Sequence, residues 1–237
     1  MSGIGPAGYA HIALFGIFLP YLAVKSARML DARPFPPKAK HFVAIIVQLA
    51  IFGVFSALVA RISWIVILPA RAPSAKHWLL GAAVVTAMVV LMRPQWRKRV
   101  LKRSRRVWLF MPRTGRERAL WTGCSLAAGI SEEITYRGVL FALLWRLTGS
   151  ALAAALLVAS VFAVSHMLQG AKAAAIIFAI SLAFQMLAWV SGSLYVGMAV
   201  HALYDILAGL HYGKYGRELD YPLEALPPPN AAPAPSA

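Results

Sequence analysis

Residues 173–200 contain no charged side chain. That run is longer than the ~20 residues a helix needs to cross a bilayer, and "SGS" at 191–193 supplies a turn that divides it into two spans. Backbone at membrane depth must satisfy its own hydrogen bonds, so the chain is restricted to helices or a closed barrel. Further apolar runs of helical length occur at roughly 7–24, 42–60, 78–92, 119–145 and 148–168. With 173–191 and 194–211 they predict an all-α polytopic transmembrane bundle of seven spans, with eight as the upper count and 78–92 the shortest. Composition agrees: 60% hydrophobic, 14% charged, mean hydropathy +0.67.

A net charge of +16 raises nucleic acid as a partner, but 11 of the 24 Lys and Arg fall between Arg93 and Arg118, flanked by apolar runs. That is the pattern of a loop on the cytoplasmic side of a membrane, and the partner it implies is the lipid bilayer. Alternate loops carry 19 and four basic residues, which predicts an outside N-terminus and a cytoplasmic C-terminus. The run from Ala7 to Val24 has no basic region before it and no small-residue cleavage site after it, and reads as a retained first span. Within the basic stretch, "QWRKRVLKRSRRVW" places Trp96, Val100, Val107 and Trp108 near one helical face, as an interfacial helix on anionic headgroups or as a solvated loop. The lone Cys124 reads as a small core residue. Three regions follow: N-terminal spans and a basic loop (1–118), a core of spans (119–212), and a Pro/Ala-rich tail (213–237) expected to be disordered.

Ionisable residues at membrane depth are costly and mark functional sites. The chain has only eight acidic residues, yet Glu132 and Glu133 are adjacent inside an apolar span, with Arg137 following. Glu133 and Arg137 are four apart in acid-first order, so a helix brings them to one face as a neutralising pair. Glu132 lies about 100° around the helix and is left without a partner on its own helix. His166 follows Phe162 by four residues, which stacks ring on imidazole, and His201 and Asp205 are likewise four apart on the last span. His11 stands alone near the start of the first span and reads as an interface or packing residue. The other six converge only in a wet pocket within the bundle.

Nucleophile-based proteolysis fits poorly. "WVSGSL" lacks the first glycine of a Gly-x-Ser-x-Gly turn, no second intramembrane aspartate accompanies Asp205, and no His-Glu-x-x-His occurs. A carboxylate-activated water remains: Glu132 accepts the water's proton, a histidine holds or shares it, and polar side chains stabilise the oxyanion. Hydrolysis of a peptide bond is the chemistry this set supports. Rival readings are a non-catalytic immunity or scaffold protein using the same pocket, and a transporter with a proton relay, which the absence of a visible inverted repeat disfavours.

The motifs "EEITYRG" at 132–138, "FAVSH" at 162–166 and "HALYD" at 201–205, in that order, resemble the CaaX protease and bacteriocin-processing (CPBP, Abi) family of intramembrane endopeptidases. The resemblance covers roughly Ala119 to Leu210. It implies Glu132 as the water-activating base assisted by His166, His201 and Asp205 at the oxyanion-stabilising positions, and Glu133, Arg137 and Phe162 in support. The implied enzyme is a metal-independent, glutamate-type hydrolase with no cofactor; the alternative is zinc held by Glu132, His166 and His201. Asp205 stands where the family's eukaryotic CaaX-processing members have asparagine, and an ionised aspartate repels an oxyanion, so orienting His201 is the use it suits better. The Ala/Arg-rich composition and short loops have a bacterial style, so a bacterial inner membrane and a membrane-anchored protein or peptide substrate are expected, as in the myxosortase branch. Oligomeric state is open.

Overall fold

The computed structural model describes residues 3–30, 35–68 and 72–222, and no strand occurs among them. Seven helices follow one another: α1 (Pro6–Met29), α2 (Lys38–Ile62), α3 (Ala75–Leu101), α4 (residues 115–148), α5 (Ala151–Ser165), α6 (Ala171–Ser191) and α7 (Tyr195–Glu218). The chain is thus an all-helical membrane bundle. Four of the helices, α1, α2, α3 and α6, are long and apolar enough to cross a bilayer on length and composition alone, and α5 is a shorter apolar helix. The charges expected inside the membrane are carried by α4 and α7. Large apolar side chains such as Ile51, Leu58, Leu79, Leu91 and Leu152 are exposed along the outside, where lipid replaces water as the solvent.

Two helices change pitch. In α1 the π-helical stretch Ile12–Phe18 precedes Pro20, which has no N–H to return to the preceding turn. In α4 the π-helical stretch is Glu133–Leu140, beginning at the second of the two glutamates. The start of α4 is fixed by a reciprocal cap: the Glu117 N–H donates to Thr114 Oγ1 at 3.1 Å, and the Thr114 N–H donates to Glu117 Oε2 at 3.4 Å.

Helix α4 is the centre of the bundle, packed between α2 and α7, while α7 also packs on α3, and α5 on α6 and α1. The α4–α7 crossing is close because small residues form it. A Cβ placed on Gly129 would lie 2.7 Å from the Met198 carbonyl oxygen and 2.9 Å from the Ala202 Cβ, so only glycine fits. The crossing sets the α4 glutamates against His201.

The basic stretch differs from both sequence expectations. Helix α3 runs on through Pro94 to Leu101, and Trp96, Val100, Val107 and Trp108 are buried in one cluster with Met111, Ala208, Tyr212 and Tyr221. The aromatic face is turned inward because α7 continues past residue 212 to Glu218 and offers it a partner. The cations nearby donate to backbone carbonyls: Arg105 Nη1 to Leu30 O at 2.6 Å and Arg106 Nη2 to Ala27 O at 3.3 Å, both left unpaired at the end of α1, and Arg113 Nη2 to Tyr221 O beyond α7. The tail beyond residue 222 lies outside the described residues.

Candidate active site

Glu133 and Arg137 pair as their spacing predicts: Oε1 and Nη1 are 3.3 Å apart and both side chains are fully buried. The guanidinium is held further by Ser181 Oγ at 3.1 Å and lies over the rings of Phe162 (4.2 Å) and Phe184 (5.3 Å). Cation–π contact on two sides suits a charge that lipid would otherwise isolate. Glu133 Oε1 also accepts from His201 Nδ1 at 3.0 Å, which joins α4 to α7.

Glu132, free on its own helix, finds its neighbours on two others. Its Oε2 lies 3.6 Å from His201 Nε2 on α7 and 3.9 Å from His166 Nε2 at the end of α5. His166 Nδ1 faces the Phe162 carbonyl at 2.7 Å, and since a carbonyl only accepts, that nitrogen carries the hydrogen and leaves Nε2 toward Glu132. The Phe162 and His166 ring centroids are 4.3 Å apart. Asp205 Oδ2 is 3.7 Å from His201 Nε2. All seven residues singled out in the sequence therefore meet around one point, brought there by α4, α5 and α7.

Their arrangement is asymmetric. A cavity of about 340 Å³ opens beside Glu132 and His166; Phe15, Leu19, Leu22 and Phe52 form its apolar wall. Ser131, Thr135, Tyr136 and Ser165 add hydroxyls to it. His201 and Asp205 are not among its lining residues, although the Asp205 side chain is itself 31% exposed. His201 is contacted at both ring nitrogens: Nδ1 is held by Glu133, while Asp205, expected to orient the ring, lies 3.7 Å from Nε2 on the side it shares with Glu132. The change from α-helix to π-helix falls between Glu132 and Glu133, whose carboxylates address the two nitrogens of this one imidazole.

Residues that the sequence did not single out also matter. Tyr136 is one turn beyond Glu132, and its hydroxyl donates to Ser165 Oγ at 3.5 Å while its ring packs on Phe162 at 4.9 Å. The spacing from Glu132 was the available signal. His11 is fully buried and is not alone: Nε2 meets Ser56 Oγ at 3.0 Å, and Ser56 meets Thr135 Oγ1 at 2.9 Å, which ties α1 and α2 to the π turn. Nothing in an uncharged run announces such a chain. As for zinc, Glu132 Oε2 lies 3.6 Å from His201 Nε2 and 3.9 Å from His166 Nε2, and no group of three or more His, Cys, Asp or Glu among the described residues is arranged to hold a metal ion.

An all-helical membrane bundle with carboxylates and imidazoles gathered at a partly apolar cavity is an arrangement suited to hydrolysis within a membrane. Residues 115–207, which span α4, α5, α6 and the first half of α7, match the family model of type II CAAX prenyl endopeptidases, Rce1-like. This segment, less than half of the chain, holds the seven side chains that meet around Glu132, and its likeness to that family supports a CAAX-type intramembrane protease, a hydrolase of peptide bonds. No curated protein and no solved structure matches the chain.

Proposed function

We propose that the protein cleaves a membrane-anchored protein or peptide with water activated by Glu132. The supporting observation is that Glu132 and His166 are the carboxylate and imidazole that face the cavity, 3.9 Å apart, a gap one water bridges at ordinary hydrogen-bond distances. The water gives a proton to the Glu132 carboxylate, and its oxygen attacks the scissile carbonyl carbon. The tetrahedral intermediate collapses as the proton, relayed through His166, reaches the amide nitrogen, and the C–N bond breaks to leave a carboxylic acid and an amine, the acid then passing its proton to the amine.

His201 positions Glu132 from α7, with Nε2 3.6 Å from its carboxylate, and is itself held by Glu133. Asp205 balances the same nitrogen, in place of an oxyanion-stabilising role for either residue. Hydrogen-bond donors for the oxyanion come from the cavity wall, chiefly the Tyr136 hydroxyl. No step of this mechanism uses a metal or other cofactor. The biased distribution of Lys and Arg supports placing the C-terminus in the cytoplasm, and the Ala/Arg-rich composition with short loops supports a bacterial inner membrane.

The test is a comparison by mass spectrometry of membrane-protein termini in cells with the intact protein and with Glu132→Gln. A new uncleaved species in the variant is expected and identifies the substrate. Unchanged termini, with both proteins present at equal level, reject the assignment.

A further inference from the structure

We propose that Arg99 and Arg106 are positioning residues that hold His166 in place by gripping the turn that follows it. The inference rests on the part in the reaction assigned above to His166. That residue ends α5, its N–H donating to Ala163 O at 3.1 Å. The next three residues form a single 3-10 turn, Met167–Gln169, in which the Gln169 N–H returns to the His166 carbonyl at 2.9 Å and the Gly170 N–H to Met167 O at 2.8 Å. Gly170, at φ +98°, then turns the chain into α6. So short a turn has poor hydrogen-bond geometry and little stability of its own.

Its outward carbonyls are taken by guanidinium groups from the basic stretch. Arg99 Nη2 donates to Gln169 O, and Arg106 Nη1 donates to Leu168 O at 3.3 Å. The other ends of the same groups are anchored elsewhere: Arg99 Nη1 reaches the Tyr212 hydroxyl at 3.4 Å, on the helix that carries His201 and Asp205, and Arg106 Nη2 reaches Ala27 O on α1. Leu22, Ala23 and Ser26 of α1 form one wall of the cavity and His166 with Leu168 another, so Arg106 spans both. A flat guanidinium with several fixed donors suits this bridging, whereas an ammonium is a single point of charge. Both arginines precede residue 115, so the part of the chain outside the family match completes the site.

The test uses the full-length protein in phospholipid nanodiscs, with Arg99→Ala, Arg106→Ala and Arg106→Lys. Amide exchange across 166–170 is expected to be about 10-fold faster in both alanine variants, with α5 and α7 amides and the melting temperature little changed. With ¹⁵N-labelled histidine, the His166 signal, assigned by its loss in His166→Asn, shows the proton fixed on Nδ1 in the parent; it broadens or shifts toward the other tautomer in Arg106→Ala, and Arg106→Lys restores it in part. For a quenched farnesylated CAAX-motif peptide, kcat falls about 10- to 100-fold and KM holds within about twofold, as for a displaced catalytic group.

The proposal is overturned if exchange and the His166 signal are unchanged in both alanine variants. It is equally overturned if the turn loosens while kcat stays at the parent value and Glu132→Gln is inactive. If Arg106→Ala does not fold, Arg99→Ala and Arg106→Lys decide by the same readings. Turnover by Glu132→Gln at the parent rate would instead reject the water-activating role of Glu132, and the exchange and histidine signals would still decide whether the arginines hold the turn.

Discussion

The Glu133 carboxylate meets His201 Nδ1 at 3.0 Å, across the α4–α7 crossing and deep within the bundle. The same oxygen lies 3.3 Å from the Arg137 guanidinium, so one buried carboxylate serves two cationic or hydrogen-donating partners at once. The adjacent Glu132 has a different environment, in contact with the cavity and 19% exposed at its side chain. Two consecutive glutamates therefore have separable duties, one in the structure and one at the reacting end.

Separable duties predict opposite phenotypes. Glu133→Gln leaves Arg137 buried without its counter-charge and is expected to cost about 3–5 kcal/mol of stability. Glu132→Gln keeps its shape beside the cavity and is expected to change stability by less than about 1 kcal/mol while lowering turnover about 10²–10⁴-fold. Thermal unfolding in detergent, run beside a cleavage assay, distinguishes the two. Equal stability loss in both variants would contradict the division.

Much of this site is legible in the sequence because charges in an apolar span are few and costly. Glu132, Glu133, Arg137, His166, His201 and Asp205 are conspicuous for that reason, and helical spacing correctly pairs Glu133 with Arg137. The handedness of the site is not legible. Spacing assumes an α-helix, whereas a π stretch runs from Glu133 to Leu140 and both glutamates lie against His201. The burial of Trp96 and Trp108 is also hidden, since a basic stretch reads the same whether its cations face water or backbone carbonyls. Uncharged partners such as Ser181, Ser56 and Thr135 become visible only when the helices are packed.

Close approach at Gly129 predicts a further sensitivity. In Gly129→Ala the new methyl would meet the Met198 backbone oxygen at 2.7 Å, and a backbone atom cannot swing aside as a side chain does. The α4–α7 crossing must widen, at about 1–3 kcal/mol for an overpacked contact. Widening also draws His201 from Glu132 and Glu133, so activity is expected to fall more than stability alone dictates. Measuring residual activity well below the melting temperature checks this; full activity there would show that the crossing tolerates the methyl.

Chelation addresses the cofactor. The proposed reaction activates its water with Glu132 and uses no metal, so purified enzyme treated with a strong zinc chelator is expected to keep its turnover. Loss of activity that added zinc restores would instead make Glu132, His166 and His201 the ligands and the bound water a metal-activated one.

Tyr136 carries the most specific prediction for the reaction itself. Its hydroxyl is on the cavity wall one helical turn from Glu132, and its tie to Ser165 Oγ is long, at 3.5 Å. Ser165 already donates its own hydrogen to Val161 O at 2.9 Å, so the phenol is loosely engaged and has a donor to offer a developing oxyanion. Tyr136→Phe keeps the ring against Phe162 and Phe15 and removes only the oxygen, so stability is expected to hold within about 1 kcal/mol. Loss of one oxyanion donor predicts a fall in kcat of about 10²-fold with little change in KM, because the contact strengthens only as charge develops. A variant with parent kcat and raised KM would place the phenol in substrate binding alone and return oxyanion stabilisation to another group on the cavity wall.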